Sequence, residues 1–562
     1  MNVKEKIAMS AAKAAGLDPI EILNMLETPP DPGMGDAALP CFRLAKTLKK
    51  APPLIAREIM EKLKIPPGVG RAQAAGGYVN FFFDRAAFAE EALDEALAPG
   101  FGASDIGAGR RVVIDYSSVN IAKPFHIGHL SSTAIGHALY KIYAYLGYQP
   151  VGINHLGDWG TQFGKLIAAY KMWGDDAEIE KTSVNAMLRL YVRFHEEAKK
   201  DPALDDAGRA WFKRIEDGDE EALRIFNWFS DLTLREAKRV YEMLDIRFDY
   251  FTGESFYNDK MQPVIDELME KNLLEKDEGA YIVRLDEFDL PPCIVLKTDG
   301  ATLYSTRDLA AAEYRKKTFD FSKALYVVAY QQSLHFKQLF AVLKKLGKPW
   351  AADLEHVAFG MVSLEDGTLS TRQGKIVLLE DVLSRAIEKT LLTINEKNPE
   401  LANKEEIARQ VGIGAVLYST LSAGRIKDIT FSLDRVLNFD GETGPYVQYT
   451  HARAGSVLRK FDGDDAKSPD YAALTNNDAF AVVRQIADFP AAVRAAAEKN
   501  EPSFITRHIT LLAQYFNKYY YEHRIMDTDE QKTNARIRLT RAVQSTIRTG
   551  LSLLGIAAPE RM

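Results

Sequence analysis

Cysteine is nearly absent: the 562 residues hold two, Cys41 and Cys293. Two thiols exclude a disulfide framework and a cysteine-built structural zinc site. Long apolar runs are missing too, and none reaches the length needed to span a bilayer. The opening Met1-Asn2-Val3-Lys4-Glu5-Lys6 has neither the apolar core of a signal peptide nor the arginine bias of a transit peptide. A cytoplasmic protein without a membrane partner is expected. No repeat or low-complexity tract stands out. Nor does one sign of charge prevail strongly: 71 basic and 78 acidic residues leave a net charge of −7. That balance neither points to nor excludes nucleic acid, because phosphates respond to a local basic stripe rather than to the total.

What is present fits a globular protein, with 46% hydrophobic and 27% charged residues. The chain is too long for one core, so three or four domains are expected. Residues 1–102 read as an α+β module. Helical patterns cover Val3–Ala14, Phe42–Lys50 and Leu54–Lys64, the last two split by Pro52-Pro53, and Gly76–Phe83 reads as a strand. Residues 103–380 alternate strand and helix, with strands expected at Arg111–Tyr116, Val151–Asn154, Ala324–Tyr330 and Val357–Val362. That alternation predicts a doubly wound, mainly parallel sheet whose ligand crevice lies beyond the C-terminal strand ends. A charged, helix-rich insertion occupies about 165–290. Residues 381–440 form a helical connection and 441–562 a helical bundle. In the bundle, Tyr515, Phe516, Tyr519, Tyr520 and Tyr521 lie among Lys518, His523 and Arg524, and Arg536, Arg538, Arg541 and Arg548 interleave with Leu539, Val543, Ile547 and Leu554. Such aromatics can stack unpaired bases, but a packed core with a solvated face is the commoner use of the same pattern.

The most informative segment runs from Asp115 through Tyr116-Ser117-Ser118-Val119-Asn120-Ile121-Ala122-Lys123-Pro124-Phe125 to His126-Ile127-Gly128-His129. It joins a strand to a helix, Leu130–Leu146. At such a junction the first backbone N–H groups of the helix are unpaired and its dipole favours an anion. Histidines at i and i+3 share one face and can donate to phosphate oxygens as charge builds. A lone pair of histidines at this spacing is more often incidental; the strand–loop–helix setting argues for function. Zinc is disfavoured, since no third or fourth ligand lies nearby, and no resident metal is expected. Other polar, glycine-containing segments fall at expected strand ends: His155-Leu156-Gly157-Asp158, Tyr304 to Asp308, Gln332 to His335, His356, and Gly367 to Lys375. One crevice would gather them.

On these residues the chain resembles the class I aminoacyl-tRNA synthetases, in their arginyl branch. His126-Ile127-Gly128-His129 matches the class signature, and Ser370-Thr371-Arg372 the tail of the second signature. Gly441-Glu442-Thr443-Gly444-Pro445-Tyr446 and the final Pro559-Glu560-Arg561-Met562 match the arginyl branch. The resemblance implies a Rossmann-like catalytic domain, an N-terminal module that binds tRNA and a C-terminal all-α anticodon-binding bundle. It implies that His126, His129, Lys123 and Arg372 are catalytic. Asp115, Ser117, Asn120, Tyr304, Asp308 and Gln332 would bind arginine. His126, Gly128, His129, His155, Gly157, Asp158, His335, His356 and Ser370 would bind ATP.

The implied activity is ligation of L-arginine to tRNA(Arg) through an arginyl-adenylate. ATP is the co-substrate with Mg²⁺ on its phosphates, activation depends on tRNA, and the enzyme is a monomer. The signature lysines are replaced by Thr368 and Thr371, so Lys123 and Arg372, helped by Lys375, are expected to neutralise the pyrophosphate. The span between the two signatures leaves no room for an editing domain. A site built on paired charges rejects analogues that lack the guanidinium without one. A small-molecule nucleotidylyltransferase shares the histidine motif but is shorter. A tRNA-binding paralogue without activation would account for the missing lysines.

Overall fold

The computed structural model describes residues 3–121, 123–298, 302–364 and 377–562. The chain divides into two compact units. One comprises Met1–Phe101, Ala454–Phe489 and Leu511–Thr546, the other Gly102–Arg453, Pro490–Thr510 and Ile547–Met562.

The larger unit is built on a five-stranded, all-parallel sheet. Its strands are β1 (Arg111–Asp115), β2 (Gln149–Asn154), β3 (Tyr250–Phe251), β4 (Lys323–Tyr326) and β5 (Leu354–His356), in spatial order β5-β4-β1-β2-β3. The chain winds one way from β1 to β3 and the other way from β4 to β5. The switch point therefore lies between β1 and β4, where an open α/β sheet leaves its crevice. Register aligns the strand ends, with Asp115 opposite both Ile153 and Tyr326, and Tyr326 opposite His356.

Alternation along β1 decides what each face sees. Val113 belongs to the core formed with helices α2 (Tyr304–Phe319) and α3 (Ser333–Lys345), which includes Leu309, Ala324, Leu339 and Val342. Tyr116 turns to the opposite face, against helix α1 (Leu130–Tyr145). A Cβ on Gly136 of α1 would sit 2.2 Å from the Tyr116 side chain, so the glycine permits this contact. Val112, Val113 and Ile114 are all buried, as expected of a strand covered on both faces.

Several elements differ from the sequence reading. The strand expected at Val357–Val362 ends at His356, and Val362–Leu364 instead pairs in parallel with Ile429–Phe431. Between them Gly360 passes so close to the Lys427 carbonyl that a Cβ would lie 2.2 Å away. The strand expected to reach Tyr330 stops at Tyr326 and is followed by a single 3-10 turn, Tyr330–Gln332. The expected insertion is helical from Thr161–Trp173 to Glu220–Met243, but then returns β3 to the sheet. Glu275–Asp277, Ala280–Leu285 and Leu290–Leu296 next form an antiparallel sheet. Pro52 and Pro53 start the helix Pro52–Lys62, since proline at the first turn lacks only an N–H that would be unpaired anyway.

In the smaller unit, Tyr78–Phe83 is the central strand between Ala37–Pro40 and Val69–Ala75. Phe480, from the helix Asn477–Ala487, joins Ile7, Leu39, Ile55 and Phe81 in one core. Among the bundle aromatics, Phe516 and Tyr519 are buried, whereas Tyr521 is 90% exposed. Among the described residues no helix is long and apolar enough to cross a membrane.

Candidate active site

β1 ends at Asp115, and the chain then crosses the top of the sheet before entering α1. Ser117 and Ser118 take φ of 72° and 48°, a region that L-residues rarely adopt. A network holds them there. The Ser117 N–H donates to Ser132 Oγ (2.9 Å), its hydroxyl meets Tyr241 (2.7 Å) and Thr133 (2.9 Å), and Ser118 Oγ donates to Asp115 (3.0 Å). Further on, Asn120 pairs like a strand residue with Gly157 of the loop after β2. A Cβ on Gly157 would lie 2.2 Å from Asn120 Oδ1, so the glycine makes room for the amide.

The two histidines cap the turn that starts α1. The Gly128 N–H donates to His126 Nδ1 (3.0 Å), and the His126 N–H donates to His129 Nδ1 (3.2 Å). The rings lie 4.1 Å apart between centroids. With its Nδ1 accepting, His126 carries its ring proton on Nε2, whereas His129 Nδ1 lies 3.2 Å from both the N–H and the carbonyl of His126, so its ring proton has a partner on either tautomer. Burial, then the neighbouring His126, drives His129 down to about 3. Burial, then Lys123, lowers His126. At neutral pH the motif is two neutral imidazoles, each offering one N–H, and Lys123 is exposed beside them.

The carboxylates expected at the site have different fates. Asp115 is buried against Arg315 of α2 at 2.7 Å, and Arg315 is itself 1% exposed. Asp308, on the same helix, is partly open. It meets His335 Nε2 of α3 at 2.6 Å and lies 3.8 Å from His155 Nε2. Burial opposes its charge, but the hydrogen bond and charge of His335, with His155 and Arg315 beyond, hold its carboxyl below the usual range. His155 Nδ1 donates to the Thr252 carbonyl (3.1 Å), which turns Nε2 toward Asp308.

Asp158 accepts from the Ser255 N–H (2.8 Å) and hydroxyl (2.7 Å). His356 donates to the Val328 carbonyl (2.9 Å) and stacks on Phe336. Tyr304 and Gln332 are exposed at the first turns of α2 and α3.

The structure thus brings Asn120 to Gly157, and His155 and His335 to Asp308, while Asp115 is closed by Arg315. The Ser117 hydroxyl is spent on Tyr241 of the helix Glu220–Met243 and on Thr133 of α1. Thr368, Ser370, Thr371, Arg372 and Lys375 lie outside the described residues. Sequence reading missed Arg315, Arg307 and Glu254. Glu254 had a findable signal: Thr252-Gly253-Glu254-Ser255 is a polar, glycine-containing turn directly after β3, the same pattern as the other site segments. Arg315, midway along a helix, had none.

The arrangement offers N–H donors at a helix start, a switch-point crevice and an open carboxylate. Residues 94–433 match the family described as tRNA synthetases class I (R), catalytic domain. The chain belongs to the arginyl-tRNA synthetase family. Residues 1–83 match the arginyl tRNA synthetase N terminal domain, and 447–562 the DALR anticodon binding domain. An arginine–tRNA ligase of Alkaliphilus metalliredigens is 51% identical over 100% of this chain and 99% of its own length. One of Halothermothrix orenii is 52% identical over the full length of both. The Thermus thermophilus arginyl-tRNA synthetase structure superposes with a TM-score of 0.84 at 28% identity, covering 100% of this chain and 99% of that one.

Proposed function

We propose that this chain ligates L-arginine to its cognate tRNA in two steps. First, the arginine α-carboxylate attacks the α-phosphorus of ATP, forming arginyl-adenylate and expelling pyrophosphate. Next, a hydroxyl of the terminal tRNA ribose attacks the adenylate carbonyl carbon, and AMP leaves. No covalent enzyme intermediate forms. Catalysis rests on positioning and on charge stabilisation.

The observation that carries this reading is the pinned histidine pair. Backbone groups hold both rings through Nδ1, and burial keeps both neutral. Ring N–H donors preset in this way cost no reorganisation as negative charge develops on the phosphates. Lys123, with Arg372 and Lys375, supplies the cation that Thr368 and Thr371 do not. Asp308 takes the guanidinium, because Asp115 already holds Arg315. Asn120 and Gln332 receive the α-amino and α-carboxyl ends. Mg²⁺ carried on the ATP phosphates would supply charge neutralisation there.

The N-terminal module and the C-terminal bundle grip the tRNA, the bundle at the anticodon. Activation waits for tRNA, no editing follows, and the enzyme works as a cytoplasmic monomer. The test is charging of tRNA with radiolabelled arginine, run beside pyrophosphate exchange with and without tRNA. Charging, with exchange only when tRNA is present, is the expected result. Tight tRNA binding without charging would replace this reading with that of a binding paralogue.

A further inference from the structure

Tyr241 stands in the last turn of the helix Glu220–Met243, in the helical insertion rather than in the sheet or α1. It is buried, with 3% of its surface exposed. Its side chain nevertheless touches both ends of the β1–α1 loop. Near the start of the loop its hydroxyl lies 2.7 Å from Ser117 Oγ. Near the end its ring meets Phe125 edge-on, with centroids 5.3 Å apart, and Phe125 lies 5.3 Å from the ring of His129.

The hydroxyl is one member of a buried chain. Asn154, at the end of β2 and 0% exposed, has only N–H groups at Nδ2, so it donates to Tyr241 (2.8 Å) and leaves the tyrosine proton for Ser117. Beyond Ser117, Thr133 Oγ1 joins the serine hydroxyl (2.9 Å) to the His129 carbonyl (2.7 Å). Deleting a middle member of such a chain leaves buried polar groups on both sides of the gap.

Backbone strain shows what the chain holds. Ser117 and Ser118 sit in succession in the left-handed region, at φ of 72° and 48°. L-residues rarely adopt it, and they stay there only where their surroundings over-determine them. Among the described residues, the side chains bonded to this pair are Ser132, Thr133, Asp115 and Tyr241, and only Tyr241 comes from outside β1 and α1. The turn that the two serines begin delivers Asn120 to its pairing with Gly157.

Resting on the arginine-ligase reading, we propose that Tyr241 is a positioning residue whose two parts serve the two substrates separately. The hydroxyl holds the Ser117–Asn120 turn in the conformation that receives arginine. The ring holds Phe125, and through it His129, on the nucleotide side. The insertion thereby sets the geometry of activation through the loop, from a side chain too buried to reach either substrate.

The test is steady-state charging by the full chain, with arginine and ATP varied in turn, beside denaturant unfolding. Tyr241→Phe deletes the hydroxyl and keeps the ring. It should raise the arginine KM about tenfold, the worth of one buried hydrogen bond left unmade, while the ATP KM stays unchanged. Tyr241→Leu, which loses the ring as well, should raise both. Ser117→Ala removes the other side of the same bond, so adding Tyr241→Phe to it should raise the arginine KM no further.

An arginine KM unchanged by Tyr241→Phe, whatever happens to the unfolding midpoint, would leave Tyr241 a purely structural role and overturn the proposal. So would equal rises in both KM values, or factors that multiply in the double variant. No charging by the wild-type chain would overturn the ligase reading itself and this proposal with it.

Discussion

The top of the parallel sheet and the helical bundle of the smaller unit are both rich in charge, but they use it differently. In the bundle the arginines that looked available to a nucleic acid are already paired. Arg536 meets Asp527 (3.1 Å), Arg541 meets Asp465 (3.1 Å), and Arg538 meets Asp94. At the sheet, one carboxylate is closed and another is open: Asp115 is sealed by Arg315, while Asp308 keeps a quarter of its side chain exposed between two histidines. The difference follows from where the elements stop. Helices in a bundle can bring partners together along their whole length. Five parallel strands ending in register leave their loops together beyond the C-terminal strand ends.

The largest effect expected from breaking this contrast is at Arg315. Arg315→Met strands a buried carboxylate and should cost about 3–5 kcal/mol in denaturant unfolding. Adding Asp115→Asn should recover much of that loss, and no recovery would mean that Arg315 stabilises through something other than Asp115. Replacing His129 with Ala removes a pinned donor and should lower the adenylation rate about 10²–10³-fold. A rate within a factor of two of wild type would show that the histidines only cap α1.

Lys123→Ala should slow adenylation about tenfold, the worth of one charge-assisted hydrogen bond. An intact rate would place the pyrophosphate cation elsewhere.

The open and closed regions also differ in pH response. Glu254 is raised in the fold, so its contribution is full at acid pH and lost as pH climbs from the ordinary carboxylate range through about 8. His129 is lowered, so its contribution is present above the ordinary histidine value and lost as pH falls toward about 3. Stability measured against pH for Glu254→Gln and His129→Gln should each lose its own limb, and a profile unchanged by both would refute these assignments. The smallest effect belongs to the exposed pair: Arg541→Ala should change stability by less than about 1 kcal/mol, and tRNA affinity little. A large loss of tRNA affinity with unchanged stability would give Arg541 the nucleic-acid role that its pairing argues against.

The junction that carries the two histidines was legible because it is local. A β-branched strand, a polar loop and two histidines at the start of a helix declare themselves within twenty or so consecutive residues. The strand end at Asn154 was legible and that at Tyr326 came within four positions, whereas the strand expected at Val357–Val362 lies just before it, at Leu354–His356, where the chain turns away past Gly360. The antiparallel sheet around Ala280–Leu285 was missed. Its strands are short and half exposed, so their period is weak.

By itself the sequence determined the class of fold and the strand–loop–helix junction that carries the two histidines, because propensity, periodicity and helix ends act over a few neighbouring residues. Only the tertiary structure decided which charge meets which. Asp115 and Asp308 are equivalent as letters, yet one is neutralised by an arginine two hundred residues away in the chain and the other meets His335 and stays a quarter exposed. Phe480 joining the N-terminal core and the Glu254 Oε2 that has no hydrogen-bond partner among the described residues are of the same kind. Each depends on long-range packing, which fixes solvent access and partners, and those in turn fix protonation.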